Sequence, residues 1–351
     1  MAYKQDIGFL FLFYFFCNEI GMVINERKTK VMVINGALLD KTSLTVGDMT
    51  IDYTDHYVYL GGHFTDDGKM SSVIERHAAA CLKHVNKFAS FISRNPSMPY
   101  SFKRKVLDAA LTSSMLYSSE TWLCHNLKSM RTHYMRAIKL LLGVRGSTTN
   151  VLCLLEGGFP ELESLVLKRR VNFITKFMRT SSGDEPLHDV LNMCIGHNTR
   201  AYRVLQVARH FNGDPVILNR QTLMEKCVAR RGSSSKTDTY LSLNGELSVH
   251  DVYKRSMYIP DYQRVALTRF RLSSHRLRIE TGRWIRVPRD QRLCMCDLGV
   301  QDEYHVIFIC PLTLHARHNF GMHTISDWTT LFKTDSSVLC EFIHTLLGLF
   351  A

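Results

Sequence analysis

Upstream of residue 66 the apolar positions alternate in short pieces, VMVING, SLTVGDMTIDY and YVYLGGHF, with glycine and aspartate turns between them. Period-two alternation over such short runs predicts a small strand-rich patch near the N-terminus. After the turn TDDGK the period changes. Ile74, Ala78, Cys81, Val85, Phe88 and Ile92 recur at alternating steps of four and three, which lines one face of a helix, and Pro96 and Pro99 end it. Ser101 is placed to cap a second helix, FKRKVLDAALTSSMLY. Its first turn is basic, which opposes the helix dipole, and contact with a polyanion accounts for that choice. A third helix carries Met130, Tyr134, Ile138 and Leu141 on one face and Arg131, His133, Arg136 and Lys139 off it, closed by Gly143. Another helical block, GGFPELESLVLKRRVNFITKFM, begins at Gly-Gly and Pro160, which mark a boundary. Between 181 and 260, SSGDEP and RRGSSSKTDT read as exposed loops around helical pieces at 200–211 and 223–230. No repeat of fixed period is apparent.

With 351 residues, 45% of them hydrophobic, the chain has enough apolar side chains for a sizeable core spread over two or three domains. A formal charge of +12 makes a polyanion the first partner to consider, because clustered cations release counterions from phosphates. The densest positive stretch is RFRLSSHRLRIETGRWIRVPRDQRL, with Arg269, Arg271, Arg276, Arg278, Arg283, Arg286, Arg289 and Arg292 against Glu280 and Asp290. Phe270 and Trp284 lie within it and offer surfaces on which bases stack. Ten cysteines scattered mostly singly do not form the dense framework of a small secreted domain and fit a reducing compartment. The aromatic run IGFLFLFYFFC is shorter than the roughly 20 apolar residues of a transmembrane helix. The leader MAYKQD lacks the charge and cleavage site of a signal peptide, so a soluble intracellular protein is expected.

The segment LCMCDLGVQDEYHVIFICP carries Cys294, Cys296, His305 and Cys310. From spacing alone these are either four ligands of one zinc ion or three buried thiols beside an ordinary histidine. Two thiols one residue apart share a face of an extended strand. The residues between Cys296 and His305 allow a turn through Asp297, Gly299 and Asp302. His305 and Cys310 do not share a face of a regular helix, so Cys310 belongs where a helix ends, before Pro311. Four filled positions make such a zinc structural rather than catalytic.

Several stretches together resemble a known family. FCNEIGMVINERKTKVMVING places Gly21, Asn25, Lys28 and Thr29 in a G-x-x-x-N-x-x-K-T pattern, and YLGG follows at Tyr59 to Gly62. Tyr117, Glu120, Thr121 and Trp122 form Y-x-x-E-T-W, LLGVRGSTTN comes after, and the tail carries C-x-C-x8-H-x4-C. The chain resembles the reverse transcriptases of non-LTR, LINE-like retrotransposons in the part downstream of their active site, over 16–150, 151–180 and 266–312. The resemblance implies a mainly α fold with a small β-hairpin palm remnant, a helical thumb and a small CCHC zinc-knuckle region. Its expected divisions are a truncated palm remnant with a primer-grip-like hairpin (1–65), a thumb-like bundle (66–150), a helical connector (151–265) and an arginine-rich segment with the knuckle and a C-terminal helix (266–351).

Polymerisation needs paired carboxylates holding two metal ions. No Y-x-D-D precedes Lys28 in this chain, and Asp66-Asp67 sits in a turn after the hairpin, so no Mg2+ site and no enzymatic activity are expected. The implied function is that of a truncated, reverse-transcriptase-like transposable-element protein that binds RNA or DNA through phosphates, with structural Zn2+, no membrane partner and no specified protein partner. Lys28, Gly61, Gly62, Arg269, Arg271, Arg276, Arg278, Arg283, Trp284 and Arg286 are its expected nucleic-acid contacts, the glycines letting backbone approach a primer strand. Two other readings stay open: a helical protein-interaction module, or part of an active RNA-directed DNA polymerase whose chain extends upstream. There is no G-x-x-x-x-G-K-[ST] phosphate loop and no legible catalytic triad, and Pro260-Asp261 reads as a loop.

Overall fold

The computed structural model describes residues 2–122, 126–180, 189, 193, 200–254 and 259–350. The described chain is mainly helical, with little strand, all of it near the N-terminus. Helix α1 (Ala2–Glu19) leads into a three-stranded sheet of order β1-β3-β2, formed by β1 (Lys30–Val31), β2 (Leu44–Val46) and β3 (Met49–Tyr53). Strand β3 alternates as its sequence predicts: Met49 and Ile51 face inward and, with Val46, meet Leu10, Tyr14, Ile24 and Val31. Of the expected VMVING region only Val31 pairs, together with Lys30 before it, and Asn35 turns to φ 56° and donates its amide to Asp66 O at 2.7 Å.

Strands β4 (His56–Tyr59) and β5 (Gly62–Thr65) form a hairpin closed by Leu60 and Gly61, both at positive φ, 48° and 81°. Two left-handed central residues characterise the hairpin turn whose twist matches its strands. A Cβ on Gly61 would lie 2.9 Å from Cε1 of Tyr117. This glycine therefore makes room for a side chain of the same protein, not only for a nucleic-acid strand.

Helix α2 (Met70–Arg94) buries Ile74, Ala78, Cys81, Val85 and Phe88 on the predicted face, with Ile92 half-buried and His77 added to it. Helix α3 (Tyr100–Val106) corrects the expected cap. Pro99, not Ser101, precedes it, and Pro99 O accepts the amides of Phe102 and Lys103 at 3.1 and 3.3 Å. Proline fits there because it sets the backbone without needing its missing donor. The chain continues through a widened turn, Leu107–Thr112.

The basic first turn is also explained within the molecule. Lys103 is 1% exposed, with Nζ 2.6 Å from Asp261 Oδ2, while Arg104 pairs with Asp108 at 2.8 Å and lies 3.7 Å over the Phe159 ring. The Lys103–Asp261 pair and the Arg104–Phe159 stack join distant segments, and the Arg104–Asp108 pair is local, so contact with a polyanion is not what accounts for Lys103 and Arg104.

Helix α4 (Lys128–Leu142) buries Met130, Tyr134, Ile138 and Leu141 and ends at Gly143 with φ 72°. There follow α5 (Asn150–Gly157), α6 (Leu162–Thr180), α7 (Arg200–Arg209) and α8 (Pro215–Val228), the last capped by Asp214. Then come α9 (Ser235–Leu243), α10 (Asp261–Arg271), α11 (Arg278–Trp284) and α12 (Ser336–Gly348). The expected loop RRGSSSKTDT is helical from Ser235 onward, whereas SSGDEP lies outside the described residues. Phe159 and Leu162, on either side of Pro160, belong to one hydrophobic core that extends from Ile74 to Phe350. Among the described residues no helix is long and apolar enough to cross a membrane.

Candidate metal centre and nucleic-acid interface

The four predicted ligands converge. Cys294 Sγ and Cys310 Sγ lie 3.7 Å apart, Cys296 Sγ and His305 Nε2 lie 3.2 Å apart, and all four ligand atoms fall within 4.8 Å of one another. Two thiolates about 2.3 Å from a tetrahedral zinc are separated by about 3.8 Å, whereas a disulfide closes to about 2.05 Å. The donor set and its spacing therefore fit a metal ion and do not fit a disulfide. Cys294 and Cys310 are fully buried, His305 is buried and Cys296 is half-buried.

Two local devices assemble the cluster. A bridge between Leu293 and Val300 closes a tight loop in which Cys294 N donates to Gly299 O at 2.7 Å and Asp297 N to Cys294 O at 3.0 Å. The cysteines thus reach one side through a loop, with Asp297 at φ 59°, and not through the extended strand expected from their spacing. The second device is the turn from His305 to Ile309, where Cys310 N donates to His305 O at 2.8 Å. An i→i+5 bond widens the helix and brings residue i+5 over residue i, so His305 and Cys310 meet although a regular helix would part them. Asp302 Oδ1 accepts His305 N at 2.9 Å at the start of the turn, and Pro311 ends it as expected.

Around the ligands, Gln301 Nε2 points at Cys294 Sγ at 3.8 Å and Arg317 Nη2 donates to Cys310 O at 2.9 Å. Burial pushes the Cys310 thiol up to about 12. At Cys294 burial acts the same way, but hydrogen bonds from Cys296, Cys310 and Gln301 outweigh it and hold the thiol below its usual value. Burial lowers the pKa of His305, favouring the neutral imidazole that ligates metals.

The expected nucleic-acid residues divide by burial. Arg271 is 2% exposed and grips the fully buried Glu156, with Nε to Oε1 at 2.6 Å and Nη2 to Oε2 at 3.0 Å. Phe270 is likewise inside the core. Arg271 therefore leaves the expected contact set as a correction, because its guanidinium is enclosed, and Phe270 presents no stacking surface. Arg283 is half-buried, 3.4 Å from the buried Glu280. Arg269, Arg276, Arg278, Trp284 and Arg286 are on the surface. Arg278 Nη1 reaches Leu293 O at 2.9 Å, and Arg286 takes a left-handed φ of 57° just beyond α11. Lys28 is exposed in a turn closed by Asn25, whose Oδ1 accepts Lys28 N at 3.1 Å.

Two groupings were not legible in the sequence. Arg145, following α4, stacks 3.8 Å over the Trp284 ring. The hairpin and the Y-x-x-E-T-W segment share a cleft of about 420 Å3 lined by Gly61, Gly62, His63, His77, Tyr117 and Trp122. There Tyr117 donates its hydroxyl to Leu60 O. The turn carboxylates Asp66 and Asp67 are occupied internally. Asp66 holds Lys41 at 2.5 Å and Tyr53 at 2.6 Å, and hydrogen bonds from Ser72, Lys69 and Thr65 pull Asp67 down to about 2. No known protein family, curated protein or solved structure matches the chain.

Proposed function

We propose that this chain is a nucleic-acid-binding part of a LINE-like reverse-transcriptase protein, held together at its C-terminal region by structural zinc and not itself polymerising. The observation that carries this reading is the Cys294-Cys296-His305-Cys310 cluster, which follows an arginine-rich helix and loop in the same core. A closed site of three thiols and an imidazole stabilises the fold rather than activating water, because no coordination position is left for substrate. The cations on the surface supply phosphate contacts, and no carboxylate pair suited to two-metal polymerisation precedes Lys28 in these residues. Further support comes from the hydrogen bond of Tyr117, in the Y-x-x-E-T-W segment, to Leu60 O of the YLGG hairpin, and from the cleft that both segments line.

The test measures binding of labelled single-stranded RNA by fluorescence anisotropy across a salt series. Affinity should fall steeply and linearly on logarithmic axes, with little sequence preference, as counterion release requires. Replacing Arg276, Arg278 and Arg283 together by Ser should weaken retention sharply while the circular dichroism spectrum is kept. A salt-independent constant, or no binding at low salt, would overturn the proposal.

A further inference from the structure

Arg145 follows α4, whereas Arg269 and Arg276 lie at the end of α10 and in the loop after it, and hydrogen bonds draw these two segments together. Arg269 Nε donates to Gly143 O at 2.6 Å, Arg145 N to Ser274 Oγ at 3.1 Å, and Arg145 Nη2 to His275 O at 2.5 Å. Ser274 N closes the loop onto Arg269 O at 2.7 Å. The guanidinium of Arg145 then lies 3.8 Å over Trp284, a ring still 54% exposed.

The charges here are left uncompensated. None of Arg145, Arg269 and Arg276 is ion-paired among the described residues. Burial first lowers the pKa of Arg145 and Arg269, and Arg276 lowers both further, with Arg269 acting on Arg145 and Arg264 on Arg269. Glu280 favours the charge on Arg145, but Lys236 at 2.6 Å and Arg283 at 3.4 Å already neutralise that carboxylate. A hollow of about 440 Å3, lined by Arg136, Lys139, Val144, Gly146 and Asn150, flanks Arg145 on both sides in the chain and extends the positive track. Like charges gathered without a counter-charge are held against their own repulsion, and an anion that joins them relieves it.

We infer that Arg145, Arg269 and Arg276 seat one backbone phosphate of a single-stranded nucleic acid, while the open surface of Trp284 stacks the adjoining unpaired base. This rests on the nucleic-acid reading above and deepens it. A phosphate alone is common to single and double strands, but a base is free to stack on an exposed indole only where it is unpaired. Arg145 also fixes the indole from its other side, so the platform is in place before ligand arrives.

The experiment titrates the full chain with fluorescein-labelled oligo(dT) and with a blunt duplex of matched length, reading anisotropy and tryptophan fluorescence. Trp284→Ala should cost about fivefold to a hundredfold in oligo(dT) affinity, leave duplex affinity nearly unchanged, and abolish the quenching seen with the parent. Trp284→Phe should restore most of the loss. Arg276→Gln, at an exposed side chain with no bond to lose among the described residues, should reduce the slope of log affinity against log salt by about one. If the parent binds oligo(dT) but these variants bind as it does, the seat is wrong while the broader reading stands. Equal losses for single strand and duplex in Trp284→Ala would overturn the stacking assignment. Absence of any binding by the parent would remove both.

Discussion

Arg271→Gln separates an arginine that holds the fold from those proposed to hold a nucleic acid. Arg271 shares the buried Glu156 with Tyr240 and Tyr253, whose hydroxyls donate to the same carboxylate at 3.0 Å each. Burial disfavours the charge on Arg271, and Glu156 more than offsets it, so the guanidinium remains protonated. Replacing it leaves a buried carboxylate with two phenolic donors and no counter-charge. Breaking a buried pair from one side costs about 3–5 kcal/mol, about a fifth or more of a typical stability of about 5–15 kcal/mol. At about 2–4 °C per kcal/mol for a larger domain, the melting temperature should fall by about 6–20 °C. Urea unfolding followed by far-ultraviolet circular dichroism measures the change. Arg276→Gln, exposed and unpaired among the described residues, should stay within about 0.5 kcal/mol of the parent. The double variant Glu156→Gln/Arg271→Gln should lose less than the sum of its singles, because it removes both charges. If Arg271→Gln unfolded at the parent's urea midpoint yet lost nucleic-acid affinity, the burial argument would be refuted and Arg271 would return to the contact set.

Three further outcomes follow from other sites. Cys310→Ser should strip zinc from the desalted protein, measured by atomic emission, and bring its urea midpoint to that of chelator-treated parent; a full complement of retained metal would contradict the four-ligand assignment. His250, drawn down from 6.5 to about 4 chiefly by burial and then by Arg271, stays neutral in the fold while the unfolded chain takes up a proton. Stability should therefore be lost as pH falls from 6.5 to 4, by at most about 3 kcal/mol. His250→Asn keeps an acceptor for Val252 N, bonded at 3.2 Å, and should flatten that part of the profile; an unchanged acid slope in urea titrations counts against it. Gly61→Ala should cost about 1–2 kcal/mol through its φ of 81°, with a further loss from contact with Tyr117. Adding Tyr117→Ala should recover only that contact part, and full recovery would show that the turn conformation carries no strain.

The parts of this protein that could be read from its sequence are those whose causes are local. The faces of α2 and α4 follow from spacing because each helix buries one stripe against the same core. The four candidate metal ligands fall within one short segment, so their convergence needed only a turn and a helix end, although the i→i+5 bond that aligns His305 with Cys310 leaves no mark in residue type. Charge was legible as a total and illegible as a distribution. Arg271 and Arg269 are two residues apart on α10, yet one meets Glu156 115 positions upstream while the other faces solvent. Lys103 looked like a phosphate contact until Asp261, 158 positions away, was found beside it. Nothing near Trp284 in the chain announces Arg145. A basic stretch therefore counts cations available to either a carboxylate inside or a phosphate outside, and only tertiary packing assigns each one. Here that assignment removes Arg271 from the expected surface and adds Arg145, turning a linear run of arginines into a cluster with an aromatic floor.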